Sequence, residues 1–581
     1  MGHDQEKTTE AFSSSTSAPN PKKKPKRNKY AFACAMLASM NSILSGYAMA
    51  GVTGILPPSP SPSPKVVSDV PAGTVDPPQK RNTGFAIACA LLASMTSILM
   101  GYDIGVMSGA SIFIKDDLHI SDNQLAVVMG ILNLYSLIGS AAAGRTSDWV
   151  GRRLTIVIAA AFFFAGALLM GFAPNYAVLM LGRFVAGVGV GYALVIAPVY
   201  TAEVSPASSR GRLTSFPEVF INMGILLGYV SNFAFAKLPL NIGWRVMLGI
   251  GAVPSVFLGV GVLFMPESPR WLVMQGRLGE AKKVLQRTSD TKEEVLLRLA
   301  EIKACAGVPD DCDDDVVAVA KKSHGEGVWK ELLISPTPAV RRILIAAVGI
   351  HFFQQASGID SVVVYSPRVF EKAGLRSKDQ LLGATVAVGF TKTVFILVAT
   401  FMVDRFGRVP LLLTGMGGMV VTLAGLGLGL TVVDRHPDEK LTWAVALCIV
   451  SVLLYVAFFS IGPGPITWVY TSEIFPLRLR AQGASIGVGV NRVMSSALTM
   501  SFIELYKRIT IGGCFFLYGG VAAVAWVFFK LYLPETRGKT LEEMEEFFGV
   551  TSKDHQCRNN EVDSGNGGGG GAGEGGTGSK I

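Results

Sequence analysis

Apolar runs of about 20 residues, each long enough to cross a bilayer as a helix, recur along this chain with the charges clustered between them. Half of its 581 residues are hydrophobic and only 16% are charged, well below the roughly 25% charged of soluble domains. The pattern is that of an all-α membrane protein with many crossings. A net charge of +9 does not imply nucleic acid, because the Lys and Arg fall beside membrane segments, as the positive-inside rule expects. Cysteines at 34, 89, 305, 312, 448, 514 and 557 are scattered and support neither a disulfide framework nor a metal site. The polar start of the chain carries no secretory signal pattern.

Taken in order, residues 1–29 form a disordered basic arm ending in PKKKPKRNK, and 30–56 are apolar. Residues 57–81 are a Pro/Ser-rich linker. Twelve candidate spans follow, at about 84–107, 123–144, 154–173, 177–200, 213–235, 245–265, 342–368, 381–403, 410–433, 441–470, 483–505 and 512–533. They divide into an N-terminal six-helix half (82–265) and a C-terminal one (342–533), joined by a charged loop with short helices, 266–341. The tail, 534–581, carries an acidic helix at Leu541–Phe548 and a Gly-rich disordered end. Arginines in the 2–3, 4–5, 8–9 and 10–11 links place both termini and the central loop in the cytoplasm; the 7–8 link, basic in part, is the weak point.

The segment 30–56 breaks this parity. CAMLASMNSILSGY at 34–47 nearly copies CALLASMTSILMGY at 89–102. If it crossed the membrane, Lys80 and Arg81 would precede the first span on the wrong side. An interfacial or unpacked segment is the better reading than a thirteenth span, and a partial duplication or a faulty gene boundary would account for the copy.

Three landmarks occur twice in the same order. Asp148-x-x-Gly151-Arg152 recurs as Asp404-x-x-Gly407-Arg408, Glu203-x-x-Pro206-x-x-x-Arg210 as Glu473-x-x-Pro476-x-x-x-Arg480, and Pro266-Glu267 as Pro534-Glu535. The offsets are 256, 270 and 268 residues. Such a register means a duplicated six-helix unit whose two copies run parallel, an architecture of transporters with binding near the midplane. Asp148, Arg152, Arg153, Glu203, Arg210, Asp404, Arg408, Glu473 and Arg480 sit at helix ends, where a charge network would latch the halves in one state and break in the other. Charges that only set topology are the alternative.

Asp103 interrupts the first span after 19 uncharged residues, Gly84 to Tyr102. A carboxylate in hydrocarbon costs several kcal/mol by mild estimates. Arg183, inside the fourth span of the same half, is its expected partner. An acid whose partner moves during transport has a state-dependent proton affinity, which is what coupling requires; a static ion pair is the bland alternative.

The stretches GRTSDWVGRR (144–153), PVYTAEVSPASSRGR (198–212), PESPRWL (266–272), QQASGID (354–360), VDRFGR (403–408), GPGPITW (462–468) and PETRGKTLEEME (534–545) resemble the sugar porter family of the major facilitator superfamily. The likeness covers about 84–547 and leans to plant polyol/monosaccharide transporters, which are proton symporters. Trp149 departs from it, standing where many members carry a basic residue. The resemblance implies a major facilitator fold, with twelve helices in two parallel halves and the extra N-terminal apolar segment outside that pattern. It also implies Asp103 and Arg183 as the proton-coupling pair. Gln354, Gln355, Trp468 and Asn491 suit a polyhydroxylated solute, which needs donors, acceptors and an aromatic face. By position, Glu218 replaces the family's span-five glutamine, Asp360 its span-seven asparagine, Lys392 its span-eight asparagine and Val364 a tyrosine. With Arg492 nearby, these charges must largely neutralise one another. The loss of a ring-stacking tyrosine suits linear polyols and inositol beside hexoses and pentoses.

His351, beside the glutamines, reads better as a hydrogen-bonded interface residue than as a proton relay. GVGVG at 187–191 lies in a membrane helix, where glycine permits close packing. No hydrolytic triad, metal cluster or ATP loop is present in the sequence, so the chain reads as no enzyme, without cofactor, drawing on a proton gradient. The expectation is a monomeric multi-pass protein of the plasma membrane, carrying polyols and monosaccharides with protons. A passive facilitator and a non-transporting sugar sensor are the alternatives, and the duplicated start leaves a non-functional product as a further one.

Overall fold

The computed structural model describes residues 83–537 apart from 207–212, 214, 290, 307, 310–314, 318–331, 333, 437–440 and 476–478. The arm, the copied apolar segment, the linker and the tail beyond 537 therefore lie outside the described residues, as does Arg210. So do the side chains of Asp404 and Arg480.

Twelve helices among the described residues are long and apolar enough to cross a membrane. The first six are Gly84–Leu118, Asp122–Val150, Arg152–Gly171, Tyr176–Val204, Phe216–Phe235 and Leu240–Leu263. The second six are Pro338–Val364, Lys378–Val403, Arg408–Arg435, Thr442–Thr471, Gln482–Ile509 and Ile511–Tyr532. No strand occurs among the described residues. Between the sets, Pro269–Met274, Leu278–Thr288 and Lys292–Ala306 are short helices with their own apolar cluster, built around Leu272, Leu285 and Leu299. The exterior keeps large apolar side chains in the open, Phe257 and Val421 at 72% exposure each, as a bundle solvated by lipid must.

Packing repeats with the sequence. The first span packs on the fifth and the seventh on the eleventh; the third packs on the fourth and the ninth on the tenth. The two halves meet along the second and eleventh spans and along the fifth and eighth. Each seam is the image of the other under an exchange of halves, so the duplicated unit closes on itself around a central axis.

Close contact between the first and fifth spans depends on missing side chains. A Cβ on Gly101 would lie 1.9 Å from the Ile221 carbonyl oxygen, and one on Gly224 would lie 2.4 Å from that of Ile98. The fourth span uses its GVGVG in the same way. Gly191 faces the Ser136 carbonyl of the second span at 2.1 Å, and Gly189 the Ala159 carbonyl of the third at 2.9 Å, measured from an added Cβ.

Two spans are broken. In the seventh, Gly358 takes a φ of 86° between Pro338–Ala356 and Ile359–Val364. In the tenth, Gly462 separates Thr442–Ile461 from Pro463–Ile474. Breaks free backbone groups, which membrane proteins tolerate only where protein or a cavity satisfies them. Here Tyr455 donates to the Ser357 carbonyl at 3.0 Å, and Gln354 Nε2 donates to the carbonyls of Pro463 at 2.9 Å and Gly464 at 3.2 Å.

Candidate functional site

Asp103 and Arg183 meet. Arg183 Nη1 donates to both carboxylate oxygens at 2.6 and 2.7 Å, and Nε donates to the Val128 carbonyl at 3.1 Å. The two side chains are 2% and 1% exposed. Nothing in the local sequence of either helix demands the partner. The fourth span brings it, set by glycines that seat that span against the second and third.

Toward the middle of the bundle, polar side chains converge from both halves. Asn491 Nδ2 donates to Gln354 Oε1 at 2.7 Å, and Gln355 Nε2 donates to Asn491 Oδ1 at 3.2 Å. Gln354 is thus fully engaged in holding the broken tenth span, whereas Gln355 Oε1 is buried without a hydrogen-bond partner. Across the seam, Arg492 donates to Asn133 Oδ1 at 3.3 Å, and Asn133 Nδ2 donates to Ser495 Oγ at 2.8 Å. Ser495 in turn donates to Asp360. Arg492 Nε has no partner.

Glu218, Asp360, Lys392 and Arg492 lie within electrostatic reach of one another. The carboxylates are half-buried and the two cations buried. Lys392 is 7% exposed and its ammonium sits 5.8 Å from the Phe459 ring centroid. Asn222, one turn along the same helix, donates Nδ2 to the Glu218 backbone carbonyl at 2.7 Å and reaches its carboxylate at 3.5 Å. Val364 lines a small cavity with Asp103, Asn133, Arg183 and Asp360. Trp468 is half-buried and packs edge-on against His351, with centroids 5.2 Å apart. His351 itself is wholly buried and its Nε2 lies 3.2 Å from Thr471 Oγ1, which is the environment of an interface histidine.

The helix-end charges form two matching networks. Arg152 Nε donates to Glu203 at 3.1 Å and Nη1 to Asp148 at 3.2 Å; Arg408 donates to Glu473 at 2.8 Å. Gly151 and Gly407 turn the chain at φ 96° and 91°, values open to glycine at no steric cost. Each turn presents the N-terminus of the next helix to a carboxylate. Glu267 accepts from the N–H of Arg152 at 2.9 Å and of Arg153 at 3.2 Å. Glu535 accepts from those of Arg408 at 3.0 Å and Val409 at 2.9 Å. Burial pushes the Glu267 carboxyl up, against the opposing pull of these N–H groups and that of Ser268. Tyr200 donates to the Pro266 carbonyl and Tyr470 to that of Pro534. The sequence flagged the Pro-Glu pairs but not this capping duty, nor the tyrosines. An offset of 270 residues between Tyr200 and Tyr470, shared with Glu203 and Glu473, was the available signal.

In this conformation the Arg152–Asp148, Arg152–Glu203 and Arg408–Glu473 pairs each join helices within one half. The Arg152 network also anchors the central loop: Trp271 donates to the Asp148 carbonyl at 3.0 Å and Arg298 to that of Glu203 at 3.0 Å. The halves are tied instead at the opposite end of the bundle. There Asp122 pairs with Lys115 of its own half at 2.8 Å, and with Lys507 at 2.7 Å and Arg368 at 3.8 Å of the other half.

Residues 89–548 match the family model described as "Sugar (and other) transporter". The chain belongs to that family. It is a multi-pass membrane transporter, not an enzyme. Among relatives, it is 66% identical to "Polyol transporter 5" of Arabidopsis thaliana over 499 residues, 86% of this chain and 92% of that one. To "Putative polyol transporter 1" of the same plant it is 68% identical over 475 residues, 82% and 93% of the two chains. Among solved structures, it resembles the proton:xylose symporter XylE bound to 6-bromo-6-deoxy-D-glucose, with a TM-score of 0.65 and 27% identity over 80% of this chain and all of that one. A partially occluded inward-open form of XylE from E. coli matches equally, at TM-score 0.65 and 27% identity over 79% of this chain. The major facilitator fold expected from the motifs is the fold observed.

Proposed function

We propose that this chain is a proton-coupled symporter of polyols (linear sugar alcohols and inositol) and of monosaccharides, working by alternating access. The observation that carries the reading is the Asp103–Arg183 pair, buried to 2% and 1% exposure. An opposite charge at contact favours the charged form of a carboxylate. Rocking of the halves that loosens Arg183 raises the proton affinity of Asp103, so proton binding and the conformational step are linked. The names of the plant relatives, all polyol transporters, and the proton symporter XylE support the substrate class and the coupling.

The solute site lies among Glu218, Gln355, Asp360, Lys392 and Arg492, with Trp468 at its margin and Gln354 and Asn491 behind it. Solute hydroxyls donate to the half-buried carboxylates and accept from the buried cations and from waters they order. Charge-assisted hydrogen bonds of this kind are about twice as strong as neutral ones. The Arg152 and Arg408 networks stabilise the helix ends against which the halves rock. The Lys/Arg bias of the links puts both termini and the Arg152 end in the cytoplasm; a monomer in the plasma membrane is the rest of the reading. No cofactor is needed.

The test is uptake of a panel of sorbitol, mannitol, inositol, glucose and xylose as a function of pH, with simultaneous current recording. The expected result is inward current with uptake that steepens as external pH falls. Asp103→Asn should reduce accumulation to equilibrium distribution and remove the current. Uptake indifferent to a proton ionophore and unchanged in Asp103→Asn makes the protein a passive facilitator.

A further inference from the structure

Asp103 of the first span and Asp360 of the seventh line one small cavity between the halves, together with Arg183, Asn133, Met107 and Leu132. Asp103 is 2% exposed, whereas Asp360 is half-buried. The second carboxylate therefore belongs to two places at once: the chamber of the buried ion pair and the polar centre of the bundle. It is tied to that centre through Ser495, Asn133 and Arg492, a chain that crosses the seam between halves.

We propose that Asp360 sets the proton affinity of Asp103, so that the proton site in one half senses what occupies the polar centre in the other. The inference rests on the reading of Asp103 as the proton site. An ionised carboxylate facing another across an enclosed space disfavours ionisation of its neighbour. Low surrounding polarity strengthens the effect, and salt screens it little. Arg183 pulls Asp103 toward the ionised form; Asp360 pushes it back. The push depends on how far Asp360 is itself neutralised. Arg492 from the eleventh span and Lys392 from the eighth act on it with one sign and Glu218 from the fifth with the other. Tyr102 beside Asp103, and Tyr229 and Tyr455 near Asp360, are phenols that ordinarily ionise near pH 10 and add no charge in the working range. A solute that donates hydroxyls to Asp360, or draws Lys392 or Arg492 away from it, changes the charge that Asp103 faces. Proton and solute are thereby linked electrostatically, in addition to any link through the motion of the halves.

The test reads Asp103 itself. Purified full-length protein, wild-type and Asp360→Asn, is titrated by infrared spectroscopy, following the protonated-carboxyl band that Asp103→Asn removes. The pH midpoint of sorbitol-driven current is measured beside it in proteoliposomes. Removing the Asp360 charge should move both midpoints to lower pH by on the order of one unit, and Asp360→Glu should return them toward wild type. The infrared titration needs no transport, so it decides the matter even where Asp360→Asn carries sorbitol poorly. An Asp103 midpoint that is the same in wild type and Asp360→Asn overturns the inference while leaving Asp103 as the proton site. A wild-type protein with no pH-dependent current and no band lost in Asp103→Asn overturns the proton reading, and the inference falls with it.

Discussion

Two adjacent glutamines show how finely roles divide at the scale of single residues. Gln354 spends both ends of its amide on protein: Nε2 on the Pro463 and Gly464 carbonyls, Oε1 on Asn491. Gln355 keeps a buried, unpartnered Oε1. Gln354→Leu should therefore lower thermal stability in detergent, since it removes three buried hydrogen bonds and leaves Asn491 Nδ2 without its acceptor, at about 1–3 kcal/mol for the stranded group. Gln355→Leu should cost less stability, because only its Nε2 is bonded, to Asn491, and should raise the KM for sorbitol by several-fold, the worth of about one hydrogen bond. A thermal-shift series and uptake kinetics on both variants check the division, and the reverse pattern rejects it. The sequence made Asp103 and Arg183 legible because a charge inside an apolar run has few explanations. It did not separate Gln354 from Gln355, because their duties depend on where the break at Gly462 leaves its carbonyls, in a helix more than 100 positions away.

Among elements, the contact that positions Asp103 is the packing of the first span on the fifth. Asp103 lies between Gly101 and Gly105, and an added Cβ on those glycines would come within 1.9 and 2.3 Å of the Ile221 and Ile225 carbonyl oxygens. Backbone on both sides leaves no flexible side chain to yield. Gly101→Val should thus separate the two helices or prevent assembly, at a cost of at least the 1–3 kcal/mol typical of overpacking. Gly84→Val on the same span, where an added Cβ would meet nothing within 4 Å, should be tolerated. Fluorescence-detected size-exclusion chromatography of both variants reads the difference, and equal monodispersity would count against it. Helix number and span order could be read from hydropathy, and GVGVG could be read as a packing surface. The glycines of the first span could not, because nothing in one helix announces which residues its neighbour will oppose.

At the scale of the whole molecule, the internal repeat foretold the two halves but not how this conformation holds them. The Arg152–Glu203 and Arg408–Glu473 pairs each lie within one half, and Asp122 ties the halves at the other end. The repeat did not announce that tie. It depends on Lys507 and Arg368 arriving from the opposite half, which no pattern in either half encodes. Asp122 is further favoured by its place in the first turn of the second span, behind a Ser121–Gln124 capping box, where a helix N-terminus stabilises an anion. Its partners are partly exposed, Lys507 at 44% and Arg368 at 15%, so solvent and salt weaken each pair. Losing both should shift the balance between conformations only a few-fold, toward the form open at the Asp122 end. The expected outcome for Asp122→Asn, with nitroxides on exposed Asn123 and Ser501, is a larger long-distance fraction in electron–electron resonance. High salt should move wild type the same way, since partly exposed pairs are screened, and should move Asp122→Asn little. A distance distribution that ignores both the substitution and the salt would show that the apolar and hydrogen-bonded seam, from Gly130 to Ser496 and from Asn133 to Ser495, closes that end unaided.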